Sequence, residues 1–151
     1  MNERPPLREV TLVLPMAPDM ELVASQAASA LAQFVGMPAD RVDEVRMAVV
    51  EACINAFEHS HAAERRVDIV FRVYGEGRPE GLEIRVHDNG VGFTPAQIQG
   101  PRIENNVKGT RKRGWGLKII SGLMDEVRIQ SGTLGTTVIM SKAREGGVPR
   151  P

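Results

Sequence analysis

Three groups of residues in this 151-residue chain have types and spacings that could do chemistry. Glu51, Asn55 and His59 are four residues apart, so in a helix they stack along one edge. An amide oxygen such as that of Asn55 suits Mg²⁺, which takes few protein ligands and completes its octahedron with phosphate and water. A carboxylate one turn earlier, Glu51, can orient or deprotonate a hydroxyl nucleophile. The same triplet also fits a solvated helix flank, with His59 a partner for the helix dipole. The second group, Asp88-Asn89-Gly90-Val91-Gly92, follows the strand-like run Leu82–His87. A carboxylate there can bind a ring edge, and glycines let backbone pass close to a ligand. Asp-Asn-Gly is equally an ordinary hairpin turn.

The third group puts four cations, Lys108, Arg111, Lys112 and Arg113, directly before Gly114-Trp115-Gly116-Leu117. A basic run alone reads as a solvated loop. Delivered to glycines at a helix start, it also offers phosphate free N–H groups, a favourable dipole and a neutralising cation. No Gly-Lys-Ser/Thr follows, so this is no Walker A loop, and the order of strand, glycines and helix does not fit a dinucleotide fingerprint. Trp115 could pack the loop or cover the core edge.

Five strands and three main helices must position these groups. Glu9–Leu14 alternates as a strand closed by Pro15, and Pro18-Asp19 opens a helix in which Leu22, Val23, Ala27, Ala30, Leu31 and Phe34 recur at three- and four-residue steps. Gly36 and Pro38 end it, and Asp40 reads as the N-cap of a second helix reaching about His59. In that helix Val42, Val45, Ala48, Val49, Ala52 and Ala56 form a stripe that should face a sheet. Strands at Arg66–Tyr74 and Leu82–His87 flank a glycine-rich hairpin loop. Pro95–Gly100 is expected as a short helix, and 101–113 as a long loop of the kind that forms functional lids. Gly116–Leu123 reads as the third helix, Glu126–Gln130 and Thr136–Ser141 as closing strands. The expected architecture is a two-layer α/β sandwich: a mixed, mostly antiparallel sheet covered on one face by helices.

Composition narrows the field. Hydrophobic residues at 42% and charged residues at 25% suit one globular domain. A net charge of zero argues against a dedicated nucleic-acid binder. The lone Cys53 excludes an intramolecular disulfide and reads as a core filler, with Glu58 on the solvent side of its helix. No apolar stretch approaches the ~20 residues of a membrane span, and no apolar signal core follows Met1. A cytoplasmic protein is the expectation, with a flexible N-terminus at 1–8, one domain over 9–143 and a flexible tail at 144–151.

Taken in order, these motifs resemble those of the GHKL, or Bergerat-fold, ATP-binding superfamily over residues 10–142. Glu51-Ala-Cys-Ile-Asn55 resembles its N box, Asp88-Asn-Gly90-Val-Gly92 its first glycine box, and Arg113-Gly114-Trp115-Gly116-Leu117 its second. Gly135-Thr136-Thr137-Val138 resembles its final strand motif. The resemblance implies that Asp88 accepts from the adenine amino group, supported by Thr136, with Gly90 and Gly92 giving close approach. It implies Asn55 as the Mg²⁺ ligand with His59 nearby, Glu51 as base, and Gly114, Trp115, Gly116 and Leu117 closing on the phosphates under a lid at about 100–114. Lys112 or Arg113 would reach the γ-phosphate.

The short chain and Leu123-Met124-Asp125-Glu126-Val127 are most similar to the stand-alone anti-sigma-factor serine/threonine kinases. That likeness implies a kinase acting on a STAS-domain antagonist, with a sigma factor or a phosphatase as further partner and a homodimeric state. No membrane or nucleic-acid contact is expected. Two other roles fit: a partner-switching regulator that binds ATP with little or no transfer, and a kinase-type switch that activates a phosphatase. The sequence departs from the family pattern in the bulky Trp115 and in an Ala-rich first helix without a recognisable interface.

Overall fold

The computed structural model describes residues 4–59, 65–89 and 113–145, with backbone alone for residues 59 and 113–115. In chain order these form β1 (Arg8–Pro15), α1 (Met20–Val35), α2 (Ala39–His59), β2 (Arg66–Tyr74), β3 (Gly81–Asp88), α3 (Arg113–Leu123), β4 (Glu126–Gly132) and β5 (Gly135–Ala143). The strands make one sheet in the order β1-β2-β3-β5-β4. Every described pairing is antiparallel, so the expected mixed sheet is antiparallel throughout those residues. Hairpins join β2 to β3 and β4 to β5, whereas β1 reaches β2 through α1 and α2, and β3 pairs with β5 across α3 and β4.

One sheet face carries the apolar set. Val67, Ile69, Phe71 and Val73 of β2, Leu82, Ile84 and Val86 of β3, and Val138 and Met140 of β5 are all buried. The three helices cover that face, and the other face carries charged residues beside apolar Val70 and Ile139. There Arg72 Nε donates to Glu9 Oε2 at 2.8 Å and Arg85 Nε to Glu83 Oε1 at 2.8 Å. Helix α2 lies between its neighbours, packed against both α1 and α3. Its expected stripe, Val42, Val45, Ala48, Val49, Ala52 and Ala56, is buried throughout. The helix starts at Ala39, so Asp40 falls in its first turn instead of capping it, and the Pro38 carbonyl accepts the Val42 N–H at 3.0 Å.

Helix α1 buries a different face from the one its larger residues suggest. Ala24, Ser25, Ala28, Ala32 and Val35 point inward, while Leu22, Val23 and Phe34 are about half exposed, at 51%, 45% and 52%. An alanine seam lets α1 approach α2 closely, and that approach turns the longer side chains outward. Gly36 ends α1 at φ 94, a left-handed conformation that favours glycine, and its N–H reaches the carbonyls of Ala32 and Gln33.

A polar cluster ties the start of α2 to the end of the sheet. Asp125, between α3 and β4, accepts from both Arg41 (3.0 and 3.2 Å) and the Ala143 N–H (2.7 Å). The buried Lys142 ammonium donates to the Leu123 carbonyl, 3.4 Å from Glu44 and 3.9 Å from Asp125. A buried cation needs such partners, because desolvation otherwise outweighs the gain from packing its stem. Asp125 and its neighbours, flagged in sequence as a family-like stretch, thus hold α3, β5 and α2 together.

Candidate functional site

Helix α2 presents Glu51 and Asn55 one turn apart, and both are buried, at 9% and 3% exposure. A solvated flank is excluded for these two. What faces them is the first turns of α3: a Cβ placed on Gly116 would lie 3.2 Å from Glu51 Oε2 and 3.5 Å from Asn55 Oδ1. Glycine at 116 therefore lets the start of α3 pass close to both oxygens, and the first four N–H groups of a helix have no intrahelical acceptor. Gly114 lies on that same first turn. Leu117 is built into the hydrophobic core, which leaves its backbone as the part that could meet a ligand.

The second cluster sits at the end of β3. Asp88 is 4% exposed and stands directly opposite Thr136 of β5, itself 2% exposed. Directly paired residues of antiparallel strands share a face, and here it is the helix-covered one. The Thr136 hydroxyl lies 3.2 Å from that of Ser131. Gly135, at φ 114, presses its backbone on the strand end: a Cβ there would come within 2.0 Å of the Asp88 carbonyl oxygen and 3.0 Å of Asn89 Cα. That close approach needs the β3–β5 register and was visible in sequence merely as a glycine in a turn.

The two clusters lie toward one end of the sheet. Arg41, near the start of α2, donates to the Ala143 carbonyl at the C-terminal end of β5. Near its other end, the Phe57 carbonyl accepts from Arg65, the residue before β2. Val67 of β2 is the register partner of Asp88. So α2 runs toward the Asp88 end, and Glu51, Asn55 and His59 approach that end in order. At 21 residues it is about 31 Å long by the usual helical rise, enough to span a strand of eight or nine residues.

Gly90, Gly92, the short helix at Pro95–Gly100 and the lid residues through Lys112 lie outside the described residues, as do the side chains of His59, Arg113 and Trp115. The third helix begins at Arg113, three residues before the expected Gly116. Glu58 is exposed, as expected. Cys53 is fully buried between Glu51 and Asn55 in sequence, and its thiol is pushed up to about 12, by burial first and by Glu21 second. It is a packing side chain, since a thiol held neutral is a poor nucleophile.

The donor set suits a magnesium–phosphate ligand. The opening that a Cβ at 116 would fill is lined by a carboxylate and an amide oxygen, both hard donors. Among the described residues no three His, Cys, Asp or Glu side chains cluster as a metal cage. A site of few protein oxygens is the kind Mg²⁺ uses when phosphates supply the rest.

The chain resembles known proteins in sequence and in fold. The profile of the histidine kinase-like ATPase domain family matches residues 16–142. The serine-protein kinases RsbW of Bacillus velezensis and Bacillus subtilis are each 32% identical over 143 residues, 91% of this chain and 86% of theirs. That of Listeria innocua is 29% identical over 140 residues, covering 89% and 86%. Among solved structures, the RsbU and RsbW domains of a Mycobacterium tuberculosis protein superpose with a TM-score of 0.65 at 19% identity, over 91% of this chain and 32% of that longer one. The kinase domain of a blue-light activated histidine kinase from Erythrobacter litoralis superposes at 0.50 with 18% identity, over 85% and 61%. At such identities the structural matches establish the fold, and the family rests on the profile and the curated relatives. No described helix is long and apolar enough to cross a membrane. On the profile match and the RsbW relatives, this chain belongs to the GHKL, histidine kinase-like ATPase family, within its anti-sigma-factor serine/threonine-protein kinase group.

Proposed function

We propose that this chain is a protein serine/threonine kinase that binds Mg-ATP and phosphorylates a serine or threonine of a STAS-domain antagonist. It would do so within a cytoplasmic partner-switching circuit that includes a sigma factor. The observation that carries the reading is the buried pair Glu51 and Asn55 facing the side-chain-free Gly116 at the start of α3. A carboxylate and an amide oxygen set beside a helix N-terminus place hard oxygen donors next to N–H groups that suit phosphate.

In this reading Asp88 accepts from the exocyclic amino group of adenine, with the Thr136 hydroxyl beside it. The N–H groups of the first turn of α3 bind phosphate oxygens, and Lys112 or Arg113 neutralises the γ-phosphate. Asn55 would hold Mg²⁺, which would supply neutralising charge at the phosphates. Glu51 orients the acceptor hydroxyl and takes its proton as the hydroxyl oxygen bonds to the γ-phosphorus. The β–γ bridging bond breaks and ADP leaves with the electron pair. The protein's contribution is chiefly positioning and charge neutralisation.

The test is incubation with γ-labelled ATP and each candidate STAS protein, comparing wild type with Glu51→Ala. Labelling of one acceptor by wild type, lost in Glu51→Ala while nucleotide still binds, is the expected result. If nucleotide binds and no acceptor is ever labelled, the chain is instead a nucleotide-binding partner switch without transfer.

A further inference from the structure

We propose that His87 is a positioning residue for base recognition: it clasps Asn89 to Thr137 across the outer face of the sheet and so fixes the strand end bearing Asp88. The proposal rests on the reading of Asp88 as the adenine acceptor. Strand alternation puts Asp88 and Thr136 on the helix-covered face and their neighbours His87 and Thr137 on the opposite one. His87 Nδ1 lies 2.7 Å from the Thr137 hydroxyl, and Nε2 lies 3.0 Å from Asn89 Oδ1. In the neutral ring that satisfies both contacts, Nε2–H donates to the side-chain Oδ1 of Asn89 and Nδ1 accepts from the Thr137 hydroxyl.

The need for a clasp comes from where the ladder stops. Asp88 is the last residue of β3, paired with Val67 on one side and Thr136 on the other. Asn89 is the next residue and is exposed. A carboxylate that must meet a base within hydrogen-bond distance is therefore the last position the ladder holds. Gly135 presses on the Asp88 carbonyl and Asn89 Cα from the β4–β5 turn, which limits movement to one side. The His87 ring ties the same residue to β5 on the outer face. A stiff ring with a polar atom at each end suits this bridge, and its loss frees Asn89 without touching the pocket side of the strand.

The experiment measures MgADP binding by calorimetry and ATP kinetics on the full chain for Asp88→Asn, His87→Ala, Asn89→Ala and the His87→Ala/Asn89→Ala double variant. His87→Ala and Asn89→Ala are each expected to weaken ADP about three- to ten-fold, the worth of one hydrogen bond. The double variant should bind about as well as His87→Ala alone, because both changes remove the same contact. KM for ATP should rise with kcat kept, which a general loss of stability would not produce. Asn89 is exposed, so Asn89→Ala decides the matter if His87→Ala does not fold. Wild-type affinity in Asn89→Ala, or additive losses in the double variant, would overturn the clasp. Unchanged affinity in Asp88→Asn overturns the base-recognition reading itself, whereas its loss alongside a normal Asn89→Ala overturns the clasp alone.

Discussion

Gly116 shows how one missing side chain can shape chemistry. Its Cα faces two buried oxygens of α2, and a methyl group there would stand 3.2 Å from Glu51 Oε2, closer than side-chain carbons normally come. The Glu51 carboxylate is the far end of a flexible chain, so it would rotate away and the backbone would hold. Alanine is also the better helix former, by ~0.5–1 kcal/mol. Gly116→Ala should therefore melt at the same temperature as wild type or slightly higher. Its phosphoryl transfer at saturating ATP should fall by on the order of ten-fold or more, because displacing a catalytic group by even an ångström is expensive. Thermal melts and single-turnover rates on the same preparation check both halves. A variant that melts lower while its rate is intact would make Gly116 a packing glycine.

Among the elements, the β4–β5 turn matters most to the site. Gly135 holds φ 114 and has no room for a Cβ, since the Asp88 carbonyl oxygen would be 2.0 Å away and cannot rotate aside. Gly135→Ala must move backbone, at a cost of roughly 1–3 kcal/mol for the strained conformation alone. The strand end that moves carries Asp88, so nucleotide affinity should fall together with stability. Calorimetry and thermal melts on this variant are expected to change in step, in contrast to Gly116→Ala. Lost stability with normal ADP binding would separate the turn from the pocket. At the far end of the sheet, Arg41, Asp125 and Lys142 tie α2 to β5 and so set the line along which Glu51 and Asn55 are presented.

At the scale of the whole molecule, much of this was legible in sequence, and the reasons differ by feature. The stripe of α2 was readable because Val42, Val45, Val49 and the intervening alanines keep a strict helical period against a flat sheet. Glu51, Asn55, Asp88 and Gly116 stood out by type and order, and the structure buries Glu51, Asn55 and Asp88 and sets Gly116 against the first two. The buried face of α1 was not readable, since alanines were chosen by the closeness of α2, a tertiary constraint absent from local periodicity. The His87–Thr137 contact, the Gly135 approach and the Asp125–Lys142 cluster join residues separated by 17 to 50 positions, and strand register alone brings them together. In the proposed reading a single Mg-ATP pocket has Asp88 at its base-reading end. MgADP titration of wild type against Asp88→Asn tests it most directly. Wild type should bind saturably at one site, and Asp88→Asn should lose ~10–100-fold in affinity, the worth of hydrogen bonding to a charged group; equal affinity in the two proteins would contradict the claim.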